Sequence, residues 1–129
     1  MMELAESRDF MGHKAQLTDA QKQYTRLMRW NEFSQASQSI DPEQRSAYLT
    51  ALRDLGEIRI TDYETAAPEF DALVDNATVR VRYTAYRNET LDVVSFSEDQ
   101  LWKRDAESGD WRLTHDGAPL VLTKDVSAR

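Results

Sequence analysis

The hydrophobic spacing of the chain changes at Gly56, and this change limits the fold more than any other feature of the sequence. Before Gly56, apolar residues recur three and four positions apart, which is the period of a helix with one buried face. After Gly56, apolar and polar residues alternate, which is the period of a strand with one buried face. The sequence therefore predicts helices first and strands after them.

Two helices are predicted before this change. Thr18 followed three residues later by Gln21 is a capping-box pattern, so the first helix is predicted over residues 18–35. The second helix is predicted to begin at Pro42, because proline fits the first helical position and Asp41 can accept from free backbone N–H groups. It is predicted to end at the glycine where the period changes, since glycine readily closes a helix. A short loop joins the two helices as an antiparallel pair.

Four strands are predicted after the change of period, and the last three form a meander. The predicted strands cover residues 57–67, 77–86, 91–104 and 111–115. The alternation slips between Val93 and Val94, which predicts a β-bulge or bend there. The hairpin that joins the last two strands places Trp102 opposite Leu113 on one face of the sheet.

The predicted fold is α+β, with two N-terminal helices packed on a bent four-stranded antiparallel sheet. A chain of 129 residues forms one domain rather than two. We predict a flexible N-terminal arm over residues 1–16, where no apolar period is sustained, a single domain over 17–123 and a frayed tail over 124–129.

Composition excludes several classes of function and location. A net charge of −7 disfavours nucleic-acid binding, because the field of the protein repels phosphates. The chain has no cysteine, so it has no disulfide and no metal–sulfur site. No apolar run approaches the ~20 residues that span a bilayer. We expect a cytoplasmic location for the chain as given, or a periplasmic or envelope location if an export signal has been removed.

Sequence motifs give no sign of a cofactor. The chain contains no dinucleotide-binding glycine pattern, no phosphate-binding loop, no zinc-protease motif and no nucleophile elbow. We therefore predict no cofactor and no metal.

Four segments resemble a known family. They are residues 24–33 (YTRLMRWNEF), the Asp41-Pro42 helix start, residues 58–63 (IRITDY) and the hairpin with Trp102 and Trp111. Over about residues 18–115, the chain resembles small bacterial proteins of unassigned activity in the nuclear transport factor 2-like (NTF2-like, cystatin-like cone) superfamily. This resemblance implies a curved sheet wrapped around helices to form a cone-shaped pocket, often in a homodimer. Such folds include isomerases and dehydratases as well as binding modules without catalytic activity, so the fold alone does not define the activity.

His115 and Asp62 are the candidates for acid–base catalysis. Imidazole titrates near neutral pH, and His115 ends a strand that could line a pocket. Asp62 and Glu64 share one face of the first predicted strand, about 7 Å apart, which is close to the spacing of paired catalytic carboxylates. The alternative is that His115 is an ordinary surface residue and that the carboxylates are exposed or paired with Arg80 or Arg82. We therefore assign no catalytic residue, and His115 and Asp62 remain candidates only.

The last hairpin is rich in acidic residues, which raises the question of calcium binding. These residues are Glu98, Asp99, Asp105, Glu107 and Asp110. Their spacing lacks the alternating ligands of a calcium-binding EF-hand loop, so we interpret them as a solvated turn.

Aromatic residues with polar tips are the candidates for ligand binding. Side chains of this kind often line pockets for flat or amphipathic molecules, although they also pack in cores. The predicted binding residues are Tyr24, Trp30, Tyr48, Tyr83 and Trp102.

Three hypotheses about function follow. The first is a module without catalytic activity that binds a small apolar ligand or a protein partner, as a homodimer. The second is an isomerase or dehydratase with an Asp or His in the cone pocket. The third is an accessory protein of the cell envelope. The sequence favours the first, because it has many polar-tipped aromatics and no convincing catalytic cluster.

Overall fold

The computed structural model describes residues 2–114 and 121–124, with side chains described for residues 10–114. The helices are α1 (Met2–Arg29), α2 (Phe33–Ala36) and α3 (Arg45–Asp54), with short 3₁₀ turns at Ser37–Ser39 and Pro42–Gln44. The strands are β1 (Ile58–Thr65), β2 (Glu69–Phe70), β3 (Asn76–Arg87), β4 (Val93–Arg104), β5 (Trp111–Thr114) and β6 (Val121–Lys124).

The six described strands form one antiparallel sheet that is four strands wide. β3 and β4 pair along nearly their whole length at its centre. β1 and β2 follow one another along the free side of β3, and β5 and β6 share the other side of β4. The predicted α+β class is therefore confirmed, and so is the pairing of Trp102 with Leu113.

The described helices cover one face of this sheet. Along β3, the residues Val79, Val81 and Tyr83 are buried against the helices, while Arg80 and Arg82 between them are exposed. This alternation is the expected consequence of the two-residue period of a strand. The core consequently lies between the helices and the inner face of β3 and β4.

α1 begins at Met2, well before the start predicted at Thr18. The Thr18 hydroxyl donates to the carbonyl oxygen of Lys14 one turn earlier, at 3.0 Å, so Thr18 lies inside the helix. Further back, Trp111 Nε1 on β5 donates to the backbone carbonyl of His13 at 2.9 Å, and the Lys14 ammonium lies over the ring of Phe70. These contacts attach the helix upstream of Thr18 to the sheet. The division into an arm, a domain and a tail stays a prediction.

α1 also ends earlier than the predicted Gln35, because the backbone turns left-handed at Asn31 with φ 60°. The Asn31 N–H donates to Met28 and the Glu32 N–H donates to Leu27, which is the Schellman arrangement that satisfies the last carbonyls of a helix. Asn31 then reaches the edge of β1, donating to the Ile58 carbonyl at 2.6 Å and accepting from Ile60 N–H at 3.2 Å.

The second predicted helix is present at its predicted position, but its first turn differs from the prediction. The Asp41 carboxylate accepts from the Glu43 N–H at 3.3 Å, as predicted, but the first turn is 3₁₀ and α3 proper begins at Arg45. Gly56 has φ 84°, in the left-handed region that closes the helix.

The predicted bulge between Val93 and Val94 is wrong. β4 pairs with β3 in continuous register through both residues. The irregularity lies in β1 instead, between Ile60 and Asp62, where the register with β3 shifts. This shift breaks the inward alternation of Ile58 and Ile60, so Asp62 is exposed.

Candidate functional site

A cluster of buried polar and aromatic side chains occupies the core between the helices and the sheet. Its members, called here the tyrosine–glutamate cluster, are Tyr24, Tyr48, Tyr83, Glu98, Gln100 and Trp102. α1 and α3 supply the first two, β3 supplies the third and β4 supplies the last three. The structure thus brings together four of the five aromatic residues predicted for binding.

Glu98 is the centre of this cluster and accepts three hydrogen bonds. The Tyr24 hydroxyl donates to Oε2 at 2.5 Å. The Tyr83 hydroxyl and the Gln100 amide each donate to Oε1 at 2.9 Å. No Lys or Arg among the described side chains forms an ion pair with Glu98. Phenol and amide donors alone therefore solvate this buried carboxyl group.

The donors of Glu98 are themselves oriented by further contacts. Trp102 Nε1 donates to Gln100 Oε1 at 3.0 Å, which turns the Gln100 amide nitrogen toward Glu98. The Tyr48 hydroxyl forms a hydrogen bond with that of Tyr24, with 2.6 Å between the two oxygens, and it also lies in hydrogen-bond contact with Met28 Sδ at 3.2 Å. The cluster is a connected network, and such networks fix the positions of their members.

Burial shifts the proton equilibria of the cluster. Loss of hydration raises the pKa of Glu98 above its ordinary value, and the hydrogen bonds from Tyr24, Gln100 and Tyr83 oppose this rise. Burial and the nearby Glu98 charge raise the pKa of Tyr24, Tyr48 and Tyr83 well above the ordinary phenol value, so these hydroxyls stay protonated and able to donate.

Interpreting Glu98 as part of a solvated turn is wrong, because the residue is only 5% exposed. Phe96, Glu98, Gln100 and Trp102 occupy alternate positions of β4, and all four are buried on the inner face. The predicted pairing of Trp102 with Leu113 fixes that face. Extending the alternation back along the strand would have placed Gln100 and Glu98 inward.

Beside the cluster lies a cavity of about 280 Å³ between α1 and the first strands, called here the α1–β1 cavity. Its lining consists of Leu17, Thr18, Gln21, Lys22, Thr25, Tyr63, Thr65, Pro68 and Val79. Leu17, Val79 and Gln21 are buried and form its floor, while the exposed Lys22 and Thr65 belong to its rim. The Tyr63 ring also packs against the Tyr83 ring, with 6.4 Å between centroids. A mainly apolar lining with a few polar groups is the usual form of a small-molecule pocket.

A second cavity, of about 490 Å³, lies between α1, the 3₁₀ turns and the β4–β5 hairpin. Its lining is mostly polar and includes Arg45, Asp110 and Arg112. Arg45 already donates to the carbonyls of Ile40 and Gln38, at 3.1 and 3.2 Å. Glu98 lines neither of these two cavities, so neither gives access to the buried carboxyl group.

Among the other predicted site residues, Trp30 and Asp62 lie apart from the cluster. Trp30 is 64% exposed, with the Arg29 guanidinium 4.6 Å from its ring centroid. Asp62 is exposed and its carboxylate accepts from the Tyr63 N–H at 2.8 Å, while Glu64 is exposed on the same strand. His115 lies outside the described residues.

Within the described part of the chain, no group of three or more histidine, aspartate or glutamate side chains is placed to hold a metal ion. None of the helices described there is long and apolar enough to cross a membrane. Comparison of the chain with protein-family models, with curated protein sequences and with solved structures found no match. The functional proposal therefore depends on the contacts within this chain.

Proposed function

We propose that this protein is an NTF2-like binding module without catalytic activity, and that the α1–β1 cavity binds a small apolar ligand. The observation that supports this proposal is the cavity itself, with the buried Leu17 and Val79 on its floor and exposed polar residues on its rim. A volume of about 280 Å³ is near the lower end for ligand pockets, so the ligand is smaller than a typical drug molecule.

The cavity favours a small ligand over a protein partner. Protein partners bind over broad surfaces, whereas this site is concave and has a buried floor. The half-buried Tyr63 ring and the exposed Pro68 give the cavity apolar surface that water still reaches, and covering this surface supplies the driving force for binding of a molecule that enters between α1 and β1.

The arrangement around Glu98 supports a binding module over an enzyme. A general acid or base must come within hydrogen-bond reach of its substrate. All hydrogen bonds found for the Glu98 carboxyl group are to side chains of the core, and the group is enclosed. The exposed Asp62 lacks the burial that tunes catalytic carboxylates. The NTF2-like assignment is supported by helices that cover one face of an open antiparallel sheet, and the homodimer remains part of the proposal.

The proposal is tested by methyl NMR with butylbenzene as the probe. Binding in the cavity should shift the methyl signals of Leu17 and Val79, which line it. The methyl signals of Ile40 should not shift, because Ile40 is buried elsewhere in the core and does not line the cavity. Native mass spectrometry of the gently purified protein reports any ligand that is already bound and the number of subunits.

Thr65→Trp is the matched blocking variant, because position 65 is exposed on the rim and a large ring there fills the cavity mouth. Arg59→Trp places the same ring at an exposed position of β1 outside the cavity. Butylbenzene should shift the Leu17 and Val79 signals in the wild type and in Arg59→Trp, and should not shift them in Thr65→Trp. Equal shifts in all three proteins would contradict the proposal, and so would the absence of shifts in the wild type both with butylbenzene and with analogues of it that carry a polar end group.

A further inference from the structure

The floor of the α1–β1 cavity contains one polar group that has no partner among the described residues. Gln21 is 7% exposed, and its amide nitrogen is buried without a hydrogen bond to any residue in that part of the chain. A buried donor that forms no hydrogen bond destabilises the protein, because it has lost water and gained nothing in exchange. Gln21 lines the cavity, so a ligand atom can supply the missing acceptor.

The Gln21 amide can turn toward such a ligand at low cost. The terminal torsion of glutamine is broad, so the amide plane rotates easily and can present its N–H groups to the cavity. The neighbouring Thr25 is less able to act as the donor, because its hydroxyl already donates to the carbonyl of Gln21 at 3.0 Å.

The described lining of the cavity carries a positive charge. Lys22 is the only charged residue in the described lining, and it lies on the rim next to Gln21 in the sequence. No carboxylate lines this cavity among the described residues, although the chain as a whole has a net charge of −7. Asp19, Glu64 and Glu69 are neighbours of lining residues in the sequence, but they are exposed and do not line the cavity, so Lys22 is the charged side chain that a bound molecule meets there.

We propose that the ligand of the α1–β1 cavity is a small apolar carboxylic acid whose carboxylate accepts from the Gln21 amide and faces Lys22. This inference rests on the proposed function, because it specifies the ligand of the same cavity. The apolar body of the acid lies against Leu17 and Val79, and the carboxylate lies toward the rim. Charge-assisted hydrogen bonds of this kind are stronger than those between neutral groups.

The test compares three probes that share one body. Butylbenzene has no acceptor, 4-phenylbutyramide has a neutral acceptor and 4-phenylbutyrate replaces the terminal methyl of butylbenzene with a carboxylate. Dissociation constants are measured by methyl NMR titration at pH 7 and at two salt concentrations. The wild type should bind 4-phenylbutyrate about tenfold more tightly than butylbenzene, in keeping with one charge-assisted hydrogen bond.

Two variants separate the contribution of the Gln21 hydrogen bond from that of the Lys22 charge. Gln21→Leu should remove most of the preference for the acid and leave the affinity for butylbenzene unchanged or stronger. Lys22→Gln should weaken binding of 4-phenylbutyrate, leave 4-phenylbutyramide unchanged and abolish the salt dependence. Gln21→Leu should also raise the melting temperature of the unliganded protein, because it removes a buried donor that has no partner among the described residues.

The outcomes distinguish a failure of the carboxylate inference from a failure of the proposed function. If butylbenzene binds in the cavity but the acid binds no better, or if Gln21→Leu keeps the preference for the acid, the carboxylate inference is wrong and the proposed function stands. If none of the three probes shifts the cavity methyls, or if Thr65→Trp does not block them, the proposed function fails and the inference fails with it.

Discussion

Tyr83 and Glu98 occupy diagonal positions on neighbouring strands, and the Tyr83 hydroxyl donates to the Glu98 carboxyl group at 2.9 Å. The diagonal arises because Glu98 pairs with Val81 while Tyr83 pairs with Phe96. Diagonal neighbours in a sheet are within reach of long side chains. The register between β3 and β4 therefore fixes one of the three donors to the buried carboxyl group.

Replacing Glu98 with leucine should strongly destabilise the fold. Tyr24, Tyr83 and Gln100 would lose their acceptor, and each buried donor without an acceptor costs about 1–3 kcal/mol. Removing a buried charge offsets part of this loss. We expect Glu98→Leu to lower the free energy of unfolding by about 3 kcal/mol, measured by urea denaturation.

Asp99→Asn is the matched control for this change. Asp99 is the next residue of β4, but it faces solvent and pairs with the exposed Arg80. Exposed ion pairs contribute little to stability, so this variant should unfold at the wild-type urea concentration. A Glu98→Leu protein as stable as Asp99→Asn would show that the cluster does not stabilise the fold.

The β4 side of the cluster could be predicted from the sequence, and its cross-strand contacts could not. Strand alternation fixes Phe96, Glu98, Gln100 and Trp102 on one face once the hairpin register is known. It does not show whether a glutamate on that face is covered. The tyrosines that cover Glu98 come from α1, α3 and β3, so the contacts depend on how distant parts of the chain pack.

The errors at the ends of α1 and in β1 have the same physical origin. Nothing in the pattern around Thr18 shows that the helix upstream is held by a Trp111 hydrogen bond to His13 and by packing on Phe70. The bulge in β1 likewise depends on its register with β3. Local spacing is enough to identify a helix or a strand, but tertiary contacts set where each one begins, ends or shifts.

The stability of the protein should depend on pH through Glu98. Burial raises the pKa of Glu98 in the folded state, so the folded protein binds this proton more tightly than the unfolded chain does. Its contribution to stability is fully present below the unfolded-state pKa of about 4.3 and is lost as the pH rises through the folded-state pKa. Carboxylates with lowered pKa, such as Asp71 and Asp99, act in the opposite direction.

Glu98→Gln isolates this effect, because it keeps the shape of the side chain and cannot titrate. The difference in unfolding free energy, wild type minus Glu98→Gln, should decrease as the pH rises above about 4.3. Other carboxylates titrate in both proteins, so their contributions cancel. A difference that stays constant or increases from pH 4 to pH 8 would contradict the raised pKa.

Removing the Tyr83 hydroxyl should raise the pKa of Glu98 further. The hydrogen bond from Tyr83 lowers this pKa, so Tyr83→Phe leaves the carboxylate less well stabilised. We expect the titration of the Glu98 side-chain carbon, followed by ¹³C NMR, to move to higher pH and the stability to fall by about 1–2 kcal/mol. Tyr63→Phe is the control, since its hydroxyl forms no hydrogen bond with the described residues.

Trp111→Phe should loosen the upstream part of α1 from the sheet. The substitution keeps an aromatic ring against Phe70 and removes the indole N–H that donates to the His13 carbonyl. We expect a loss of about 1 kcal/mol and faster amide hydrogen exchange over residues 10–17 than in the wild type. Exchange in β3 should be nearly unchanged. If the upstream helix exchanges as slowly as before, this hydrogen bond does not hold it to the sheet.

Asn31 should be among the least replaceable residues outside the cluster, because its backbone and its side chain both have a structural role. Its backbone has φ 60°, a conformation that is strained for most residues other than glycine and asparagine. Its side-chain amide donates to the Ile58 carbonyl and accepts from the Ile60 N–H on β1. Asn31→Gly loses only the side-chain bonds, at about 1–2 kcal/mol. Asn31→Ala should cost about 1 kcal/mol more, because alanine also strains the left-handed turn. Urea denaturation of both variants tests this order, and equal stabilities would show that the turn carries no strain.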